Sequence, residues 1–375
     1  MIPPIDPAAL SAPALRLTTA PLKMQELAAS KAIAPGVGPA DMLALLVFFS
    51  RSATETVQKA AAATLKAVPE PILQGALGAP SPLAPAVIDA LVSSYADRFE
   101  IVERLLGMPT IAPDTVEELA RTGDERLTEL IATNEARLLE HPRIIERLYM
   151  NKLTRSSTAD RLVDLAVRNK VELPGIAAFK EAALAIENEL IAEPSDEPTP
   201  DDLMFREAQE VAEEIAAKTS ADEDTHDEDE EGAENLKAKF LPLYMQVANM
   251  TMSQKIRSAI LGTREMRMLL VRDRNRLVQS AAVRSPLMQE NEAVLIAKNR
   301  NSAEEVLRII GTTPEWMKSY QIKRSLVENP KTPVAVATRL VTQLRESDLR
   351  AVAKSKNVTG PVKDAARRHL DRRNS

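Results

Sequence analysis

The chain has no cysteine, three histidines, one tryptophan and 3% aromatic residues in a length of 375. Without thiols there is no disulfide, no thiolate nucleophile, no cysteine-ligated zinc and no iron–sulfur cluster. The histidines, His141, His226 and His369, are far apart in sequence and argue against a multi-histidine metal site. Glycine is scarce, 11 residues against 25 prolines. The longest apolar run, residues 42–49, is closed by Asp41 and Arg51 and falls far short of the ~20 residues of a membrane span. The opening Met1-Ile2-Pro3-Pro4-Ile5-Asp6 lacks the basic start and apolar core of a secretory signal. A soluble cytoplasmic protein is expected. No Gly-x-Ser-x-Gly, Gly-x-Gly-x-x-Gly or phosphate loop is present to supply a nucleophile elbow or a phosphate cradle. His141 stands before Pro142 at a helix start and His369 in a basic tail, neither with a recognisable catalytic partner. Neither enzyme chemistry nor a cofactor is expected.

What is present is helical. The composition is 45% hydrophobic and 27% charged, enough apolar material for real cores. Alanine and leucine dominate over aromatic and alternating β-branched residues, which favours an all-α fold. The net charge of −6 hides three blocks. Residues 236–375 carry 27 Lys and Arg against 12 Asp and Glu, a net +15. Residues 193–235 carry 2 against 18, a net −16, and residues 1–192 stand near balance at −5. Blocks of opposite sign this large mark separate units. The division expected is a Pro/Ala-rich arm at 1–40, a helical-repeat domain at 41–192, an acidic linker at 193–235 and a basic helical-repeat domain at 236–375. Within the linker, Phe205, Ala208, Val211, Ala212 and Ile215 recur at helical spacing, predicting one amphipathic helix over 203–218. The tract 222–231 is too acidic to form a core and reads as solvated linker. Asp227 to Gly232 begins like a calcium loop, but its twelfth position is Ala238 where a bidentate Glu is required, which rejects an EF-hand.

A punctuation recurs along the chain. Leu77-Gly78-Ala79-Pro80, Leu106-Gly107-Met108-Pro109, Leu261-Gly262-Thr263-Arg264 and Ile310-Gly311-Thr312-Thr313-Pro314 each end an apolar helix on Gly and open the next. Gly suits a left-handed C′ position and Pro a first helical turn. Ala282-Val283-Arg284-Ser285-Pro286 and Val327-Glu328-Asn329-Pro330-Lys331-Thr332-Pro333 are forms without Gly, and residues 296–301 echo residues 352–357. Such units hold two short helices, which bury their apolar faces only by stacking. At these residues the chain resembles bacterial α-solenoids of the HEAT-like or leucine-rich-repeat-variant kind, with Asn329-Pro330-Lys331-Thr332-Pro333 the best copy. The resemblance implies an all-α chain of two short-repeat solenoid domains joined by the acidic linker, with curved surfaces that bind a partner. Leucine-rich-repeat-variant proteins can carry a cysteine-ligated cluster, which this chain, lacking cysteine, cannot.

The candidate binding residues are basic. Arg264, Arg267, Arg272, Arg274 and Arg276 lie within 13 positions. Lys318, Lys323 and Arg324 follow, then Lys354, Lys356, Lys363, Arg367 and Arg368. On one concave face they would form a groove for a polyanion, with salt-sensitive affinity; spread around the domain, they would serve solubility. An excess of +15 asks for something acidic, a protein partner first and nucleic acid as the alternative. The linker itself nearly cancels that excess. It either folds back on the basic domain or remains an extended spacer. Trp316 and Tyr320, four apart on a helix opened by Thr313-Pro314, read as packing between repeats rather than a nucleotide stack. The function expected is a non-catalytic cytoplasmic scaffold or adaptor, with the linker modulating the basic face.

Overall fold

The computed structural model describes residues 4–78, 83–187, 189–229 and 233–374. Among them the regular structure is 24 α-helices, three 3₁₀ turns and one two-stranded sheet. The chain is nearly all helical, and no described helix is long and apolar enough to cross a membrane. It divides into two compact units, Met1–Thr154 and Arg155–Ser375.

The first unit holds α1 (Ala12–Thr18), α2 (Leu22–Lys31), α3 (Pro39–Phe49), α4 (Glu55–Leu65), α5 (Glu70–Leu77) and α6 (Pro85–Ser94). It continues with α7 (Phe99–Leu106), α8 (Pro113–Thr122), α9 (Glu125–Ala132), α10 (Glu135–Glu140) and α11 (Pro142–Met150). The second holds α12 (Ser156–Arg168), α13 (Phe179–Ile186), α14 (Pro200–Ala216), β1 (His226–Glu228), β2 (Glu234–Leu236), α15 (Leu241–Asn249) and α16 (Met252–Leu261). There follow α17 (Arg264–Leu270), α18 (Arg276–Arg284), α19 (Glu290–Lys298) and α20 (Glu304–Thr312). The last are α21 (Tyr320–Glu328), α22 (Val334–Val341), α23 (Glu346–Lys354) and α24 (Gly360–Asn374).

A helical chain tolerates this much proline because of where it falls. Helices α1, α3, α5, α6, α8, α11, α14 and α15 carry Pro in their first two positions, where the missing N–H has no intrahelical partner to lose. Packing is local in sequence. In the second unit α16, α18, α20, α22 and α24 each pack on the next of that series, as do α19, α21 and α23. In the first, α2 packs on α4, α3 on α5, α4 on α6, α7 on α9 and α9 on α11.

Side chains reach back across this spacing. The Asn329 amide donates to the carbonyls of Ala297 and Asn299, each at 2.8 Å, while its oxygen accepts from the Lys331 N–H. Asn151 does the same with Ala120, Gly123 and Leu153, and the Ser285 hydroxyl donates to the Ile260 carbonyl at 2.8 Å. In the two echoed segments, Asn299 accepts from the Asn301 N–H and Ser355 from the Asn357 N–H. The recurring motif is therefore a turn whose polar side chain pins the N–H two residues on, and in three cases an earlier helix end.

The glycines behave differently from expectation. Gly78, Gly107 and Gly262 cap helices at negative φ, and Gly311 lies inside α20; none is left-handed. Two are there for space: a Cβ on Gly262 would meet the Ser258 carbonyl at 2.4 Å, and one on Gly311 would meet Val336 at 2.5 Å. Ala79 and Pro80 lie outside the described residues.

The division at Thr154/Arg155 differs from the expected boundaries at 192 and 235. Helices α12 and α13 pack with α14, α16 and α18, and polar contacts bind them there. Asp202, in the capping box that opens α14, accepts from the Ser156 hydroxyl and the Ser157 N–H at 2.9 and 2.8 Å. Glu181 accepts from the Ser280 hydroxyl at 2.7 Å. The expected linker helix is present, over Pro200–Ala216, but it is built into the C-terminal unit.

Asn329→Ala strands two helix-end carbonyls in a buried turn and should cost about 2–3 kcal/mol. The half-exposed Ser355→Ala should cost well under that. Urea denaturation of both variants provides the comparison.

Candidate functional site

The arginine cluster begins at α17. Thr263 caps the helix by accepting from the Met266 N–H, and the short α17 is buried on most of its surface. Arg267 therefore points inward, 4% exposed, and its guanidinium meets both oxygens of the fully buried Glu292 at 2.9 and 2.7 Å. Its third arm donates to the Gly262 carbonyl at 2.8 Å. Glu292 is also the third residue of a capping box at α19 and accepts from the Gln289 N–H. A buried charge requires this degree of pairing.

Arg272, just past α17, is held by acids from the expected linker. Its Nη2 donates to both oxygens of Asp224 at 3.0 and 2.9 Å, and its Nε to Glu234 at 3.0 Å. Nη1 returns to the Met268 carbonyl. Arg264 donates to the Glu223 carbonyl at 2.7 Å, Asn291 to the Ala221 carbonyl at 2.6 Å, and Asn299 to Glu234 at 2.6 Å. The acidic tract thus lies on the basic helices. A turn closed by the Glu223 N–H on the Ser220 carbonyl leads into β1, which pairs antiparallel with β2 so that Glu228 faces Glu234. Lys237 and Lys239 pair with Glu223, and Lys237 also with Asp227. Residues 222–229 are consequently no solvated spacer, and the calcium-like start at Asp227 is a hairpin strand. The tract's residues 230 and 231 lie outside the described residues.

His226 of β1 is half-buried. Burial first, then the Arg272 charge, pushes its pKa below the usual histidine value, so it stays neutral at pH 7. Between the hairpin, α15 and α16–α17 lies a cleft of about 420 Å³, lined by His226, Glu234, Arg272 and Arg274 and by Tyr244, Val247 and Leu269. Lys255 and Asp273, paired at 3.0 Å, also line it. A cavity of about 110 Å³ shares Glu234 and Arg272 with it.

The other basic residues stand as follows. Arg274, Arg276, Lys318, Lys354, Lys356 and Arg368 are exposed, and Lys323 and Lys363 half-buried. Arg324 pairs with Glu328 at 2.8 Å and Asp348 at 3.5 Å. Arg367 pairs with Asp364 and donates to the Ala353 carbonyl, beside Lys354 at the end of α23. The structure brings Arg272 and Arg274 to one cleft, whereas Arg264, Arg267 and Arg272 are engaged internally and do not form an open phosphate groove. Trp316 and Tyr320 do not share a helix. Trp316–Lys318 is a 3₁₀ turn, Ser319 is extended, and Tyr320 opens α21. The Tyr320 hydroxyl donates to Asp348 and accepts from the Arg345 N–H.

A second polar cluster escaped sequence reasoning. Ser253, in the first turn of α16, donates its hydroxyl to Asp160 at 3.0 Å and its N–H to Glu189 at 2.9 Å, while Arg257 lies fully buried over the Phe205 ring. Asp160 as a whole residue is only half-buried. Its carboxyl is nevertheless enclosed enough that burial, with the Glu189 charge second, pushes its pKa up to about 7. The available signal was an acid within the apolar series Ala159, Leu162, Val163 and Ala166 of α12. Among the described residues no group of three or more His, Asp or Glu could hold a metal ion.

No protein-family model, curated protein or solved structure matches the chain.

Arg267→Ala leaves Glu292 buried and unpaired and should cost about 3–5 kcal/mol, against under ~0.5 kcal/mol for the exposed Arg274→Ala, both read by urea denaturation. Folding raises the Asp160 pKa from 3.8 to about 7, so the folded chain keeps a proton that the unfolded chain releases. Stability of the second unit should fall as pH rises between those values and level off above. Asp160→Asn should flatten that slope and stabilise the protein at pH 8, measured as unfolding midpoints at pH 5 and pH 8.

Proposed function

We propose that the chain is a non-catalytic cytoplasmic scaffold or adaptor that binds protein segments on two HEAT-like α-solenoid surfaces. In this reading the acidic segment 221–236 controls access to the basic face of the C-terminal unit. The helix-on-second-helix packing and the reach-back of Asn151, Ser285 and Asn329 support stacked repeats, since each short helix completes its burial only against later ones.

The observation that carries the functional reading is Arg272 held by Asp224 and Glu234. A basic face that takes an acidic segment of its own chain has the chemistry to take one from a partner. The tether sets the competition: a segment on a short linker acts at roughly millimolar effective concentration. The alternative, nucleic acid, would have to displace the same segment from Arg264 and Arg272 and finds Arg267 enclosed on Glu292.

The test compares full-length wild type with Asp224→Asn/Glu234→Gln, and with Asp222→Asn/Glu228→Gln as a control of equal charge change at exposed positions. Poly-glutamate binding across a salt series should rise at least tenfold for the first variant and much less for the control. Equal binding by both variants, or none by either, would overturn the reading. Preferential, salt-steep binding of duplex DNA by the opened variant would replace it with the nucleic-acid alternative.

A further inference from the structure

We infer that the partner displacing the acidic segment carries an apolar anchor beside its carboxylates, and that the cleft of about 420 Å³ next to the hairpin receives that anchor. This rests on the reading above and adds to it what the partner must look like.

Competition with the tethered segment sets what a partner needs. A partner making only the polar contacts of the internal segment, carboxylates on Arg272 and carbonyls on Arg264 and Asn291, faces a tethered rival and loses. It must gain from contacts that the internal segment leaves unused. Those contacts are adjacent. Helix α15 turns Leu243 and Val247 inward at 0% and 5% exposure, yet its outer face shows Leu241, Tyr244 and Met245 at 51%, 47% and 56%. The spacing of i, i+3 and i+4 places these three on one stripe. Tyr244 from that stripe and Leu269 from α17 line the cleft, while the internal segment presents His226 and Glu234 to it and no aliphatic or aromatic hydrocarbon side chain.

Charge selects among apolar ligands. Lys255 at the cleft is taken by Asp273 and Arg272 by the hairpin, but Arg274 is exposed and pairs with no acid among the described residues. A carboxylate flanking the anchor would meet Arg274 at the rim. Enclosing one large apolar side chain is worth roughly tenfold to a hundredfold in affinity, which is the advantage that a partner needs over the polar contacts alone. The ligand class is therefore an acidic protein segment bearing a large apolar residue, not a polyanion of repeating charge.

Two peptides test this on the full chain. One copies residues 220–228; the other is the same copy carrying His226→Phe, since His226 is the residue of that stretch that lines the cleft. On the Asp224→Asn/Glu234→Gln chain both should bind, the Phe copy at least tenfold tighter, and adding Tyr244→Ala should erase the gap between them. On wild type only the Phe copy should compete, with faster amide exchange in residues 226–228 and 234–236. If the Phe copy binds no tighter than the plain copy, the anchor inference is wrong while the acidic-segment reading survives. If neither binds a variant that remains folded by circular dichroism, both fall. A concentration-dependent dimer that excludes the Phe copy would likewise overturn the inference, because a second copy of the chain would then be the occupant.

Discussion

Arg272 donates to two carboxylates, Asp224 in the chain leading into β1 and Glu234 at the start of β2. That triple contact ties the end of the acidic stretch to the basic helices. The stretch carries −16 and the helices after it +15, and neither charge is comfortable alone: a segment of that density repels itself, and the helices accumulate like charge around α17. Closing one on the other relieves both. The carbonyls of Ala221 and Glu223, received by Asn291 and Arg264, then fix where along the helices the acids sit. Long-range attraction explains why the two meet, whereas these short contacts explain their register.

Buried ionic groups elsewhere in the same unit follow a related logic. Arg267 and Glu292 join α17 to α19 through two parallel hydrogen bonds. Asp160, Glu189 and Ser253 join α12 and the chain before α14 to the start of α16, and Asp202 joins α12 to α14. A chain with few aromatic residues has few large side chains to specify how one helix sits on another. Here polar side chains with directional partners take that task at helix ends, at the cost of enclosing carboxylates, one of which keeps its proton to about pH 7.

The turn motif shows how far sequence reasoning carried. Asn329-Pro330-Lys331 and the echoed segments 296–301 and 352–357 stand out as repeats, and the structure gives them a common cause: a side-chain oxygen on the N–H two residues later. The glycine punctuation was visible too, but its reason was not. Gly262 and Gly311 are needed because Ser258, Met266 and Val336 come close, and the partners of a close approach cannot be known before helices are placed. Likewise Arg264, Arg267 and Arg272 look alike as letters in a basic run. The acids of Arg267 and Arg272 lie 25 to 48 residues away, and the carbonyl that receives Arg264 lies 41 residues away, so the basic run itself does not distinguish these internal cations from an exposed one such as Arg274.

Local chemistry settled the helices themselves, because apolar spacing, proline at first turns and polar caps act within a few residues and need no tertiary information. It also settled the segregation of charge and, through the absence of cysteine, the exclusion of thiol chemistry. Only the tertiary structure decided that α12 to α14 belong with the basic helices and that the acidic tract ends in a hairpin. It alone decided which arginines remain open beside the cleft at Tyr244. Those outcomes turn on which distant groups come within about 3 Å of one another, the range at which hydrogen bonds and ion pairs choose their partners.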